Sequence, residues 1–211
     1  ASLRNQKRID KHVRDELGVP QGKALDAATF RELNKPQIAV YDEVRDTVPV
    51  LSPDAELSRA ISDIDAARQA NPLLEVAEPV RKLRERLQET GDVPTADVLK
   101  AISEWRFKAK TLRNTTDDPA KLEQARAYQQ AADAFEDAVE RAAAASGKED
   151  LGARFRDART KLAKIRDVEE ATVDGMIDVQ RLTKLKESGA RLTGRLSALA
   201  DVGRWFKPET K

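Results

Sequence analysis

The sequence reads as an all-α protein, a multi-helix bundle of folded-back helices, compact or extended. Apolar residues recur at intervals of three and four along most of the chain, which places them on one face of a helix. No window of four or more residues alternates apolar and polar cleanly enough to mark a strand. Pro and Gly, nine of each in 211 residues, interrupt the pattern roughly every 20–30 residues. The interruptions cut it into helices that fold back on one another.

Residues 1–18 form the first predicted helix, with Leu3, Ile9, Val13 and Leu17 as a loose apolar stripe. Gly18 and then Pro20 stop it. After a loop over 19–25, Asp26 is placed to cap a helix in which Ala27, Phe30 and Leu33 share a face. Pro36 is expected to kink that helix or split it at Lys35, because proline has no amide donor and disfavours helix at the residue before it. Ile38, Tyr41, Val44 and Val48 continue the apolar face to Pro49. In Ser52-Pro53-Asp54-Ala55-Glu56, Ser52 is the expected N-cap, Pro53 the first helical residue, and Glu56 favours the helix dipole. Leu57, Ile61, Ile64 and Ala67 then face one way, and the helix should end near Asn71-Pro72.

A short helix is expected after Pro79, with Val80, Leu83 and Leu87 on one face and Gly91 closing it. Thr95 is the expected cap of the next, whose stripe is Val98, Ile102, Trp105 and Leu112, with Ala101 and Ala109 filling in. A polar loop over 114–118 leads to Asp118-Pro119, which opens the longest helix, out to about Ser146. Its buried face is Leu122, Ala125, either Tyr128 or Gln129, Ala132, Phe135 and Val139, and Gly147 ends it. From Glu149 onward, Leu151, Phe155, Ala158, Leu162, Ile165 and Val168 lie in helical register. Val173-Asp174-Gly175-Met176 is a turn with Gly175 at positive φ. Gly189 is the expected cap of the helix before it, and Thr193 the cap of the last one. The Pro49–Pro53 link divides an N-terminal helical segment, 1–50, from a bundle over 51–211 that carries a C-terminal motif over 151–208. There is no internal repeat of fixed period and no sustained heptad pattern.

Composition narrows the function. Charged residues make up 36% and aromatics 4%, yet the net charge is only +1. Dense, balanced charge with apolar periodicity belongs to long solvated helices, not to disorder. A dedicated nucleic-acid binder is normally strongly basic, so DNA contact is not favoured. With no cysteine there are no disulfides or thiolate metal sites. One histidine, His12, in a Lys/Arg/Asp-rich helix is read as a solvated surface residue, which leaves no usual zinc ligand set. No stretch approaches the ~20 apolar residues of a membrane-spanning helix. No basic-then-apolar leader opens the chain, so no signal peptide is expected. Ala1-Ser2 fits either a terminus after Met removal or a cut from a longer chain.

Chemistry is hard to find. Glu169-Glu170 and Asp117-Asp118 are adjacent, and adjacent helical positions do not face each other. The scarcity of aromatics speaks against a sugar cleft flanked by two carboxylates. The two glycines of 188–194 lack the strand–loop–helix setting of a phosphate site. No catalytic, cofactor-binding or metal-binding residue is expected, and no cofactor. Three basic clusters, over 4–14, 81–86 and 154–166, sit on helices with acids nearby, the pattern of solvated faces with i,i+4 pairs. The first and third are less well neutralised and suit an acidic partner or DNA.

One resemblance goes further. The segment 154–206, RFRDARTKLAKIRDVEEATVDGMIDVQRLTKLKESGARLTGRLSALADVGRWF, runs from an amphipathic helix through a Val-Asp-Gly turn and a short Leu-rich helix. An Arg-Leu-Thr-Gly step and a final apolar helix ending at Phe206-Lys207-Pro208 follow. This order resembles the C-terminal module of a family of tailed-phage virion proteins. Asp15 to Asp26, then Phe30, then Tyr41-Asp42-Glu43-Val44-Arg45, resemble an earlier segment of the same family. Ala171-Thr172-Val173-Asp174-Gly175 stands where the family has a Leu-Asn turn, and Phe206-Lys207-Pro208 where it ends in Phe-Pro. The resemblance implies a particle component made in the bacterial host cytoplasm and built into the virion. It further implies other virion proteins as partners and multiple copies in a symmetric assembly.

Two expectations follow. The first is a non-enzymatic structural component, namely a tail subunit, adaptor or fibre-anchoring protein. The alternative is an internal virion protein ejected with the genome, contacting DNA or membrane. A more distant reading is a helical accessory to an enzyme or an inhibitor of a host factor. Leu196, Leu199, Val202, Trp205 and Phe206 form a narrow apolar edge ending in two aromatics, the expected partner-binding residues; the rival is docking on the protein's own core.

Overall fold

The computed structural model describes residues 3–70, 78–115, 118–187, 192 and 194–204. Trp205, Phe206, Pro208, Gly189, Thr193, Asn71 and Pro72 lie outside the described residues. The fold is all-α. Its helices are α1 (Leu3–Leu17), α2 (Ala27–Thr47), α3 (Ala55–Ala70), α4 (Glu78–Thr90), α5 (Thr95–Thr115), α6 (Pro119–Ala145), α7 (Leu151–Ala171), α8 (Val179–Glu187) and α9 (Gly194–Gly203). Two antiparallel pairs of two-residue strands join them. One couples β1 (Val50–Leu51) to β2 (Val93–Pro94), and the other β3 (Thr172–Val173) to β4 (Met176–Ile177).

The chain forms two compact units. One is Ala1–Val40 with Asp157–Lys211, and the other is Tyr41–Arg156. The chain crosses between them inside α2 and inside α7, not at the 50/51 link. That link is instead tied into the second unit. Val50 pairs with Pro94 and Leu51 with Val93, and Thr95 N–H donates to Pro49 O at 3.0 Å.

The first unit packs α1 and the start of α2 with the end of α7, α8 and α9. Ile9 and Val13 of α1 share a core with Val19, Leu25 and Phe30. Ile165 and Val168 of α7, Leu182 of α8 and Leu196 and Ala200 of α9 complete it. Gly18, at φ 69°, ends α1 as its sequence position requires. Asp26 caps α2 by accepting from Thr29 N at 2.8 Å. Asp174 and Gly175, both at positive φ (50° and 77°), form the tight turn between β3 and β4. An Asp-Gly pair is suited to that geometry. Asp178 then caps α8, accepting from Gln180 N at 2.9 Å.

The second unit is built around α5 and α6, which form its most extensive helix contact. Trp105 of α5 meets Phe135 of α6 nearly edge-on, centroids 5.3 Å apart, and both are fully buried. Ala125, Ala131, Ala132, Ala138 and Ala143 are buried along α6, where small side chains let helices approach. On α6 it is Tyr128, not Gln129, that turns inward. Gly152 of α7 lies so close to α6 that an added Cβ would stand 2.7 Å from Ala144 Cβ.

Several expected details differ. Of the two outcomes expected at Pro36, the split does not occur, and α2 runs on from Ala27 to Thr47. Phe30 is buried before the proline and Val44 after it, so packing holds the helix on either side. Ile38, placed on the apolar face by its spacing, is instead exposed. The cap of α3 is Asp54, which accepts from Leu57 N at 2.7 Å. Ser52 instead donates to Asp92 Oδ1 at 2.5 Å. Thr95 starts α5, but its hydroxyl is buried with no hydrogen-bond partner among the described residues, while its N–H donates to Pro49 O. Asp118 caps α6 as expected, accepting from Ala120 N.

Candidate interaction surface

The expected partner-binding edge lies on α9, and α9 is held by α8. Thr183, in the middle of α8, is buried and donates its hydroxyl to Ala200 O at 2.7 Å. Lys186 Nζ reaches Ser197 Oγ at 2.8 Å and Asp201 Oδ2 at 2.6 Å. The ammonium is the main cause that holds the Asp201 carboxyl below its ordinary pKa. Gly203 fits directly against α8: a Cβ there would lie 2.9 Å from Val179 O and 2.8 Å from Val179 Cγ1. The glycine is therefore a packing requirement, at a position where the sequence shows only an apolar helix near its end.

Within this hairpin the five edge residues are not equivalent. Leu196 is fully buried in the first unit's core, so its side chain is used within the chain. Leu199 is half-buried against that core. Val202 is exposed at 45% of its surface and points away from it. Trp205 and Phe206 lie beyond the described residues. Six residues along a helix set Leu196 and Val202 about 120° apart around its axis, which is why the first is core and the second is surface.

The second unit holds a charged cluster that sequence reasoning did not single out. Glu136 is 1% exposed, and each of its oxygens has a donor. Arg106 Nη2 bonds Oε2, and Tyr41 OH lies 3.4 Å from Oε1. Arg106 also reaches Asp133 Oδ1 at 3.2 Å, and Gln129 Nε2 donates to the same oxygen at 2.9 Å. Arg106 Nε and Trp105 Nε1 are buried with no hydrogen-bond partner among the described residues. Glu136 stands next to Phe135 of the expected buried face but is not among the residues expected there, and its partner leaves no local signal. Chemically, this is a packed ion-pair network joining α2, α5 and α6, with its carboxylate already fully engaged.

Glu43 forms a second charged contact. Lys148 Nζ stands 2.5 Å from Oε1, and Arg154 bonds both oxygens. The guanidinium of Arg154 first, then the Lys148 ammonium, lowers the Glu43 pKa to about 2. Among the described residues no group of three or more His, Cys, Asp or Glu is placed to hold a metal ion. No helix among the described residues is long and apolar enough to cross a membrane. His12 is exposed on α1. Comparison with known protein families, curated proteins and solved structures returns no match for this chain.

Proposed function

We propose that this chain is a non-enzymatic structural component of a tailed-phage particle: a tail subunit, adaptor or fibre-anchoring protein. It is made in the bacterial host cytoplasm and assembles in multiple copies with other virion proteins. One observation carries the reading. Of the segments that resemble virion-protein text, 15–30 and 157–206 fall in a single compact unit although more than a hundred residues separate them, while Tyr41–Arg45 and 154–156 fall in the other. Text from both ends of the resemblance is thus gathered in one unit, which supports reading the two ends together. The intervening residues form a unit of their own.

The α8–α9 hairpin gives the proposed role a surface. Val202 is exposed, Leu199 is half-buried, and the chain continues directly to Trp205 and Phe206. A hydrophobic edge leading to two aromatics has the composition of a subunit anchor. The test is complementation. Particles grown without this chain should show a defined structural defect, such as a missing tail part or loss of fibre attachment, and supplying the chain should restore it. Particles of normal composition, morphology and infectivity without it would overturn the reading.

A further inference from the structure

The net charge of +1 averages two units of opposite sign. Residues 1–40 and 157–211 carry 20 Lys and Arg against 14 Asp and Glu, whereas residues 41–156 carry 18 against 23. The basic excess has an exposed focus on α1. Ile9 and Val13 face the core, so Lys7, Arg8, Lys11 and His12 fall on the outward side, and all four are exposed.

The acids of α1 do not neutralise that side. Asp10 is used internally, accepting from Ile177 N at 3.0 Å and Gln6 Nε2 at 3.1 Å. Glu16 is likewise consumed by Lys164, 2.6 Å away. Only Asp15 remains, and Lys11 pairs with it at 2.9 Å. The start of α9 packs on this end of α1, since a Cβ at Gly194 would stand 3.0 Å from Glu16 Oε1, and the next residue, Arg195, is exposed. Lys7 and Arg8 make no ion pair or hydrogen bond among the described residues.

We propose that the outward face of α1, Lys7, Arg8 and Lys11 together with Arg195, binds the phosphate backbone of nucleic acid without regard to sequence. The make-up of the face selects this partner. Lys7, Arg8, Lys11, His12 and Asp15 place no aromatic or aliphatic side chain there. A protein interface would need such anchors at its centre, and a membrane-surface helix would need an apolar face to insert. Phosphates need only Lys and Arg. The surface is independent of the particle reading and would hold if that reading failed. It also explains how a chain of near-zero net charge can bind a polyanion: the acidic surplus belongs to the other unit.

The test is fluorescence anisotropy of the full chain with a short labelled DNA duplex. Three to four phosphate contacts predict an affinity that falls about 40- to 150-fold between about 50 and 200 mM salt. The double variant K7Q/R8Q should flatten the log–log salt slope by about 2. K7E/R8E should weaken low-salt binding by roughly tenfold or more, since it replaces attraction by repulsion. K100E/K121E makes the same net-charge change at exposed lysines of α5 and α6, outside the proposed face, and should leave affinity within about twofold, because it removes none of the proposed phosphate contacts. No binding by the full chain overturns the proposal. So does equal weakening by the two charge-reversed variants, or an unchanged slope in K7Q/R8Q. Tighter binding to polyglutamate or to anionic lipid vesicles than to the duplex also overturns it, in favour of an acidic protein or a membrane.

Discussion

Glu136 is the residue on which the second unit is most exposed to damage. Its carboxylate is buried and meets the Arg106 guanidinium, so removing it leaves a positive charge in the interior with one acid, Asp133, beside it. Glu136→Ala should cost about 3–5 kcal/mol, read as a shift of the urea unfolding midpoint of the unit that contains Trp105. A loss below about 1 kcal/mol would mean that the network is dispensable. Glu43 gives a prediction in pH. Its folded pKa, about 2, lies below the ordinary 4.5, so its contribution is fully present above pH 4.5 and is lost as the pH falls toward 2. Glu43→Gln should therefore melt below the native protein at pH 7, with the gap closing between pH 4.5 and pH 2. A gap independent of pH would detach the effect from this carboxylate. The sequence announced the buried face that carries Glu136, through Ala132, Phe135 and Val139. It did not announce the partner, because Arg106 lies 30 residues away and pairing at that distance leaves no periodic trace.

Among the elements, the helices were legible where one apolar face met one cap. Asp26 and Asp118 cap as read, and Gly18, Gly91 and Gly147 stand at positive φ just past helix ends. The strand pairs were not legible, since two residues are too few to alternate, although Asp174-Gly175 is a strong hairpin signal on its own. Ser52 and Asp54 both have capping side chains, and only the structure shows that Asp54 takes Leu57 N while also binding Arg141 at 2.6 and 2.9 Å. The α8–α9 hairpin yields a paired test. Gly203→Ala should cost about 1–3 kcal/mol, because a methyl group there collides with the Val179 backbone. Val202→Asp, on the exposed side, should change stability by less than about 0.5 kcal/mol and yet keep the chain out of particles. Scanning calorimetry and particle incorporation read the two effects separately. Normal incorporation of the Val202→Asp chain would remove α9 from the assembly contact.

At the scale of the molecule, the helical character could be read from the text and the division into units could not. Pro49–Pro53 looked like a boundary because prolines cluster there, whereas the compact units change over inside α2 and α7, where the sequence is continuous helix. Contacts such as Asp10 with Ile177 and Glu16 with Lys164 join positions 167 and 148 residues apart, and local pattern carries no information about them. That long-range closure is also what brings the virion-like text of 15–30 and 157–206 into one unit. If the chain is a virion component, that unit travels in the particle. The most direct measurement is quantitative mass spectrometry of gradient-purified particles from cells that make this chain. A fixed whole-number copy count per particle, constant between preparations, is the predicted result. Its absence from the particles, or a trace that varies with washing, would contradict it.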